Sequence, residues 1–187
     1  SMDAPALTEL LAELVEDPDP QVATQAIESA AHLRAPGLVP PIEKRLPDAP
    51  IAVAARSALA AYGGEIVPRL REALLGDDTD PRLRRRIPRV LYTIGTDEAT
   101  EALTDALGAC AAGLAQDTQA LRYHVIKALN RMRRDHPDVQ IHDGSISDAI
   151  ESEARLQAAL LDHRAAVDGL GELTPLLATV LRERQEP

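Results

Sequence analysis

The sequence has almost no aromatic side chains, with three Tyr and no Phe or Trp among 187 residues. Proteins that bind single-stranded nucleic acid stack the bases on aromatic rings, and β-sandwiches are rich in aromatic and β-branched residues. Both classes are therefore disfavoured. The apolar residues make up 45% of the chain and are mainly Ala and Leu, which are strong helix formers.

The sequence also has a single cysteine, no excess of positive charge and no long apolar run. Cys110 is the only cysteine, which excludes an internal disulfide framework and multi-cysteine metal sites. Its small neighbours Ala109, Ala111 and Ala112 predict a thiol packed between helices. The net charge of −10 disfavours nucleic acid as a partner. No segment resembles a signal peptide or reaches the ~18 apolar residues of a membrane span, so we expect a cytoplasmic protein.

A repeat of about thirty residues runs through much of the sequence. Pro20, Pro50 and Pro81 each follow an acidic or small turn residue and precede a helical stretch, at spacings of 30 and 31 residues. A fourth copy begins at Asp117 without a proline and continues TQALRYHVIKALNRMRR. Asp before a helix and Pro in its first turn are helix-start signals. The position that aligns in all four copies is apolar: Val22, Val53, Leu83 and Leu121.

A second amphipathic helix precedes each of these copies. In each of these helices, apolar residues recur at i, i+4, a spacing that is typical of helices. The pairs are Leu10/Leu14, Ile42/Leu46, Leu70/Leu74 and Leu103/Leu107. Gly37, Gly63–Gly64 and Gly95 fall between helices, as C-terminal caps do. Because one helix pair cannot bury its apolar face alone, we predict an all-α fold of about four HEAT-like pairs stacked into a right-handed α-solenoid over residues 7–135. Pro88 predicts a kink in the third of the repeat helices.

The remaining segments flank this array. We expect Ser1-Met2 to be a tag scar, and residues 1–6 to form this scar and an N-terminal tail. Residues 136–145 contain Pro, Gly, Asp and Ser and are predicted to be a loop. Residues 146–187 are predicted to form a longer C-terminal helical hairpin that caps the array.

Several strings resemble a known family. The helix-pair length and the D-x-x-[VL] start are similar to HEAT repeats. The stretches LRRRIPRVLYTIGTDEATEAL, LRYHVIKALNRMR and AIESEARLQAALL resemble the HEAT-repeat segment of bacterial nucleotide-translocase-like membrane proteins of the major facilitator type. In those proteins a transporter domain precedes the repeats and a cyclic-nucleotide-binding domain often follows. The resemblance, over most of Leu7 to Arg184, implies a linker or regulatory domain excised from such a protein, at the cytoplasmic face of the membrane.

Positive charge is concentrated in two of the predicted helices. Residues 82–134 hold ten Lys/Arg and five Asp/Glu, whereas the rest of the chain holds ten and twenty-five. Stacking would place these cations on one concave surface, which favours an anionic partner. We therefore predict a binding surface formed by Arg82, Arg85, Arg86, Arg89, Arg122, Lys127 and Arg131. The expected partner is an acidic protein segment or a neighbouring domain of the parent chain.

Other interpretations of the cations remain open. They could form a solvated face that pairs with acids of the neighbouring repeat, each exposed pair contributing ~0–1 kcal/mol. The acids available for this pairing are Asp97, Glu98, Glu101 and Asp105. The array would then be a structural spacer between two domains. Anionic lipid headgroups or nucleic acid could replace the acidic protein. HEAT-like enzymes, such as bilin lyases and alkylpurine DNA glycosylases, are a further alternative that the lack of Trp and Phe disfavours.

Catalytic and metal-binding motifs are missing. The sequence has no phosphate-binding loop, dinucleotide-binding, zincin or nucleophile-elbow motif. His136 and His142 share the predicted loop with several Asp, but their spacing fits no zinc pattern. His124, beside Tyr123 in the second basic helix, is predicted to face a groove or to be partly buried. We therefore predict a non-catalytic protein without a cofactor or metal.

Overall fold

The structure is a computed structural model that describes residues 4–111 and 118–139. All of these residues belong to the first of the two compact units of the chain, Ser1–Ile146. The predicted C-terminal hairpin at 146–187 and most of the predicted loop at 136–145 lie outside the described residues.

Helices make up most of the described residues, which contain no β-strand. The α-helices are α1 (Ala4–Val15), α2 (Pro20–Leu33), α3 (Val39–Lys44), α4 (Ala52–Ala61), α5 (Val67–Leu75), α6 (Pro81–Arg84), α7 (Ile87–Ile94), α8 (Asp97–Ala111) and α9 (Thr118–Asp135). Two 3₁₀ helices, Pro36–Leu38 and Gly63–Ile66, lead directly into α3 and α5. The predicted helical class is confirmed over these residues. None of these helices is long and apolar enough to cross a membrane.

Aspartate caps set two of the helix starts that the repeat predicts. The side chain of Asp19 accepts a hydrogen bond from the backbone N–H of Gln21 at 2.8 Å, just before α2. Asp80 accepts from the backbone N–H of Arg82 at 2.8 Å, just before α6. Both helices begin with proline, which is tolerated there because the first amides of a helix have no intrahelical acceptor.

The sequence around Pro88 forms two helices rather than one kinked helix. α6 ends at Arg84, Arg85 and Arg86 form a turn, and α7 begins at Ile87 with Pro88 in its first turn. A proline in a helix interior removes a hydrogen bond and clashes with the preceding turn. With a break before Ile87, Pro88 lies in the first turn of a new helix, where neither penalty arises. It also places Arg85 and Arg86 at a turn instead of along a continuous helix.

Helices that are separated in the chain contact one another in series. α2 contacts α4, α4 contacts α7, and α7 contacts α9, while α5 packs on α7 and α8. Large buried side chains of the core include Ile27, Leu59, Leu91 and Leu129. Val22 and Val53, at the aligned apolar position, are instead 37% and 61% exposed. Ala23 and Ala55, one and two positions further along the same helices, are buried instead. Their small side chains let neighbouring helices approach closely.

Candidate functional site

A pocket opens beside α4, α7 and α9. Six cationic side chains line it: Arg56, Arg85, Arg86, Arg89, Lys127 and Arg131. Within residues 4–111 and 118–139, none of the lining residues is acidic. His124 and Tyr92 add polar groups, Leu46, Ala52 and Ala128 add apolar surface, and the cavity has a volume of about 140 Å³. We call this cavity the basic pocket.

Local structure explains how α7 and α9 present their cations together. Arg85 and Arg86 come from the turn before α7, and Arg89 follows within the first turn of that helix. On α9, Lys127 and Arg131 are four residues apart and therefore share a face. α7 packs on both α4 and α9, so the three helices can supply one cavity.

Arg56 of α4 is not among the residues that the sequence analysis selects, although the repeat contains a signal for it. Three residues after the aligned apolar position, the second, third and fourth copies hold Arg56, Arg86 and His124. All three line the basic pocket. Consecutive copies therefore contribute the same aligned position of the repeat, which lies in a helix for Arg56 and His124 and in a turn for Arg86. Local charge does not mark Arg56, because α4 carries a single arginine and no local excess of charge.

Two of the acids that could have neutralised these cations make other contacts. Asp105 pairs with Arg71 of α5. Glu98 accepts hydrogen bonds from its own backbone N–H and from Thr96, which lower its pKa. Within residues 4–111 and 118–139, no carboxylate makes an ion pair with Arg56, Arg86, Arg89, Lys127 or Arg131. Most of the cations that line the pocket are therefore not paired with an acid of the described structure.

The pKa values of two lining side chains are lowered in part by this positive charge. The pKa of Arg56 lies below its ordinary value because the side chain is partly buried and because Arg89 and Arg86 are nearby. Burial also lowers the pKa of His124, and the charge of Arg85 is the next cause. Neighbouring like charges disfavour the protonated form in both cases. A bound anion would act in the opposite direction.

Tyr92 connects α7 to α9 at the edge of the basic pocket. Its hydroxyl donates a hydrogen bond to Oδ2 of Asp135 at 2.7 Å, and Nε of Arg134 donates to Oδ1 at 2.7 Å. The hydrogen bonds from Arg134 and Tyr92 lower the pKa of Asp135 to about 2. The guanidinium carbon of Arg131 lies 6.0 Å from the centre of the Tyr92 ring, within the range of a cation–π interaction.

Five of the seven predicted surface residues line the pocket, and Arg82 and Arg122 do not. Arg82 is exposed at the start of α6, outside the cavity. Arg122 is only 9% exposed, so little of its side chain reaches the surface on which the sequence pattern places it. It follows the buried Leu121 on the part of α9 that faces α8, where its charge influences the pKa of Cys110.

Arg84 belongs to the same run of arginines but has a structural role. It is 2% exposed, and its Nη2 donates hydrogen bonds to the backbone carbonyls of Gly76, Asp77 and Thr79. These carbonyls belong to the connection between α5 and α6. The run RRR at 84–86 therefore divides between one buried side chain and two that line the pocket.

Cys110 is buried, as predicted, and burial raises the pKa of its thiol. The thiol is therefore protonated at neutral pH and does not line the basic pocket. Across the part of the chain that the structure describes, no three His, Cys, Asp or Glu side chains form a group that could hold a metal ion. His142, from the predicted loop, lies outside that part.

We expect the stability of the folded chain to decrease at mildly acidic pH through His124. Its folded-state pKa is below the ordinary value of ~6.5, so the unfolded chain gains a proton first as the pH falls through that value. The free energy of unfolding then decreases until the folded form is protonated as well. Thermal unfolding at about pH 7.5 and 5.5 should show a smaller pH dependence for His124→Gln than for the wild type. Identical pH dependence in the two proteins would contradict this expectation.

The basic pocket can bind an anion but offers little for acid–base chemistry. Guanidinium groups present donors in a planar fork that matches carboxylate and phosphate oxygens. His124 lines the pocket, but the described part of the chain places no carboxylate in the lining to orient it as a base. No protein-family model matches the chain, and no curated protein matches it. The pocket is therefore the basis for a functional assignment.

Proposed function

We propose that the chain is a non-catalytic binding module that holds an acidic segment of a protein partner in the basic pocket. The observation that carries this proposal is the set of six cations from three parts of the chain around one cavity, with no acidic lining residue among those that the structure describes. A concave cluster of one sign focuses the electrostatic potential and attracts the opposite charge. Because the whole chain has a net charge of −10, a long polyanion would be repelled outside the pocket, whereas a short acidic segment would not.

The fold supports a finer proposal about architecture and setting. Contacts in series between α2, α4, α7 and α9 agree with a right-handed α-solenoid of HEAT-like helix pairs. In such an array, stacked repeats create an extended concave binding surface, and the basic pocket would belong to it. The resemblance to HEAT-repeat segments of transporter-like proteins supports a role as a cytoplasmic linker or regulatory domain.

Reversing two charges inside the pocket tests the proposed function. Arg89→Glu/Lys127→Glu changes two exposed side chains, so the variant should fold. The control Arg82→Glu/Arg133→Glu reverses two exposed cations outside the pocket and reaches the same net charge. We expect the pocket variant to bind a fluorescent Glu-rich peptide at least about tenfold more weakly than the wild type, and the control less than about threefold. Fluorescence anisotropy at ~150 mM salt, where long-range attraction is screened, measures both.

The possible outcomes separate the competing interpretations. Equal weakening by both variants would show that the overall field of the domain, and not the pocket, attracts the peptide. Absence of binding by the wild type at low salt would overturn the proposal and favour the structural spacer. Circular dichroism on both variants verifies that a loss of binding is not a loss of folding.

A further inference from the structure

We infer that the anionic group held in the basic pocket is a phosphoryl group on a peptide segment of the partner, and that an apolar residue of this segment contacts Tyr123. This inference rests on the proposed function, because it names the chemistry of the bound segment. Two independent observations carry it. One is the arrangement of cations in the pocket, and the other is a second cavity next to it.

The pocket concentrates more positive charge than one carboxylate can neutralise. Six cations line it, and five of them make no ion pair with a described carboxylate. A carboxylate has a single charge and two oxygens, which one guanidinium fork can satisfy. A phosphoryl group has nearly two charges and three strong acceptor oxygens. It can therefore accept hydrogen bonds from α4, α7 and α9 at the same time.

Two lining side chains favour a group that enters the pocket over one that rests at its rim. Arg56 and His124 are both partly buried, so water competes less well for their hydrogen bonds. His124 shares the cavity with all six cations and with Tyr92. A dianion placed among them would favour the protonated imidazole, which could then donate a further hydrogen bond.

A second, shallower cavity adjoins the basic pocket and shares Lys127 and Arg131 with it. Its other lining residues are Tyr123, Ile126, Asn130 and Arg134. Most of these residues are three or four positions apart and therefore form one face of α9. Tyr123 is 60% exposed, and the Lys127 Nζ lies 5.5 Å from the centre of its ring. Apolar and cationic surface are thus continuous.

This second cavity favours a peptide over a free phosphate ion. A phosphate ion would fill the basic pocket and leave the Tyr123 side chain 60% exposed. A peptide continues beyond its phosphoryl group, and an apolar side chain one or two residues away could cover the ring. The side-chain amide of Asn130, which both donates and accepts, can bond the peptide backbone.

Four peptides of otherwise identical sequence test the inference on the full chain. Their central residue is phosphoserine flanked by Leu, phosphoserine flanked by Ala, Glu flanked by Leu, or Ser flanked by Leu. We expect the phosphoserine–Leu peptide to bind at least about tenfold more tightly than the Glu–Leu peptide and about threefold more tightly than the phosphoserine–Ala peptide. Anisotropy at ~150 mM salt gives the affinities.

Variants of the chain test separately the contact of the flanking Leu with Tyr123 and the preference for phosphoserine. Tyr123→Ala should abolish the difference between Leu and Ala flanks and retain the preference for phosphoserine. Arg89→Glu/Lys127→Glu should abolish the preference for phosphoserine, while Arg82→Glu/Arg133→Glu should retain it. Binding of the phosphorylated peptide should also raise the pKa of His124, measured from its imidazole NMR signals over a pH titration.

Contrary results separate the inference from the proposed function. Equal affinity for the phosphoserine and Glu peptides would overturn the phosphoryl assignment and leave the binding of acidic segments intact. Inorganic phosphate, or vesicles with about a tenth of phosphoinositide lipid, binding as tightly as the peptide would overturn the assignment to a peptide. A Tyr123→Ala variant that keeps the Leu preference would overturn the contact with Tyr123.

Discussion

An Arg84→Met variant should have a free energy of unfolding about 3 kcal/mol lower than the wild type. Arg84 is 2% exposed, and its guanidinium donates to the carbonyls of Gly76, Asp77 and Thr79. Gly76 follows the last residue of α5, where helix carbonyls lack intrahelical donors and the helix dipole is negative. Met has a similar length but donates no hydrogen bond, so the carbonyls would lose their partner.

Two opposing effects set the size of this loss. A hydrogen bond to a charged group contributes about 1.5–3 kcal/mol, and the Nη2 of Arg84 has two N–H groups to share among the three carbonyls. Removing the guanidinium also removes the cost of burying its charge, which offsets part of that contribution. A net loss of about 3 kcal/mol is a large share of the ~5–15 kcal/mol that stabilises a typical domain. The melting temperature should fall by roughly 10 °C.

Arg82→Met is the matched control for this variant, because Arg82 is exposed and stands two positions earlier in α6. We expect its effect to stay within about 0.5 kcal/mol, as for most surface changes. Arg84→Lys retains the charge but presents a compact ammonium group, and its stability should be intermediate. Urea unfolding followed by circular dichroism compares the three variants. Equal stabilities of Arg84→Met and Arg82→Met would show that the buried hydrogen bonds give no net stabilisation.

A Gly95→Ala variant should also lose about 3 kcal/mol of stability, for two separable reasons. Gly95 caps the end of α7 with φ 69°, a left-handed conformation that costs other residues about 1–2 kcal/mol. A Cβ at this position would lie 2.5 Å from the Cε1 atom of His136. The imidazole would have to move, and overpacking of this kind costs about 1–3 kcal/mol. His136 also contacts the ring of Tyr92 at a centroid distance of 5.9 Å, so its displacement would reach the edge of the basic pocket.

Two other glycines separate the backbone cost from the clash. Gly63 has φ 66° but no atom within 4 Å of an added Cβ, so Gly63→Ala measures the backbone cost alone. Gly64 has neither restriction, and Gly64→Ala should be nearly neutral. Adding His136→Ala to Gly95→Ala should recover part of the loss. If thermal unfolding shows that Gly95→Ala costs no more than Gly63→Ala, the imidazole moves aside without cost.

The helical class and the helix starts follow from local features of the sequence. The capping bonds of Asp19 and Asp80 join residues two positions apart, and the left-handed cap at Gly95 depends on the backbone of one residue. Such features need no knowledge of the rest of the chain. The concentration of cations around α7 and α9 is likewise a matter of composition. Pro88 marks a disruption in the sequence, but the sequence pattern predicts a kink where the structure has a break between two helices.

Only the tertiary structure decided which cations share the basic pocket. Neighbouring residues on a helix point about 100° apart, so one arginine run can supply the core, a turn and the surface. Arg84 is buried because carbonyls at the end of another helix meet it, and Arg122 is buried where α9 packs on α8. Arg56 joins the pocket because α4 packs on α7. Each outcome depends on atoms far away in sequence, so local pattern and charge could not predict it.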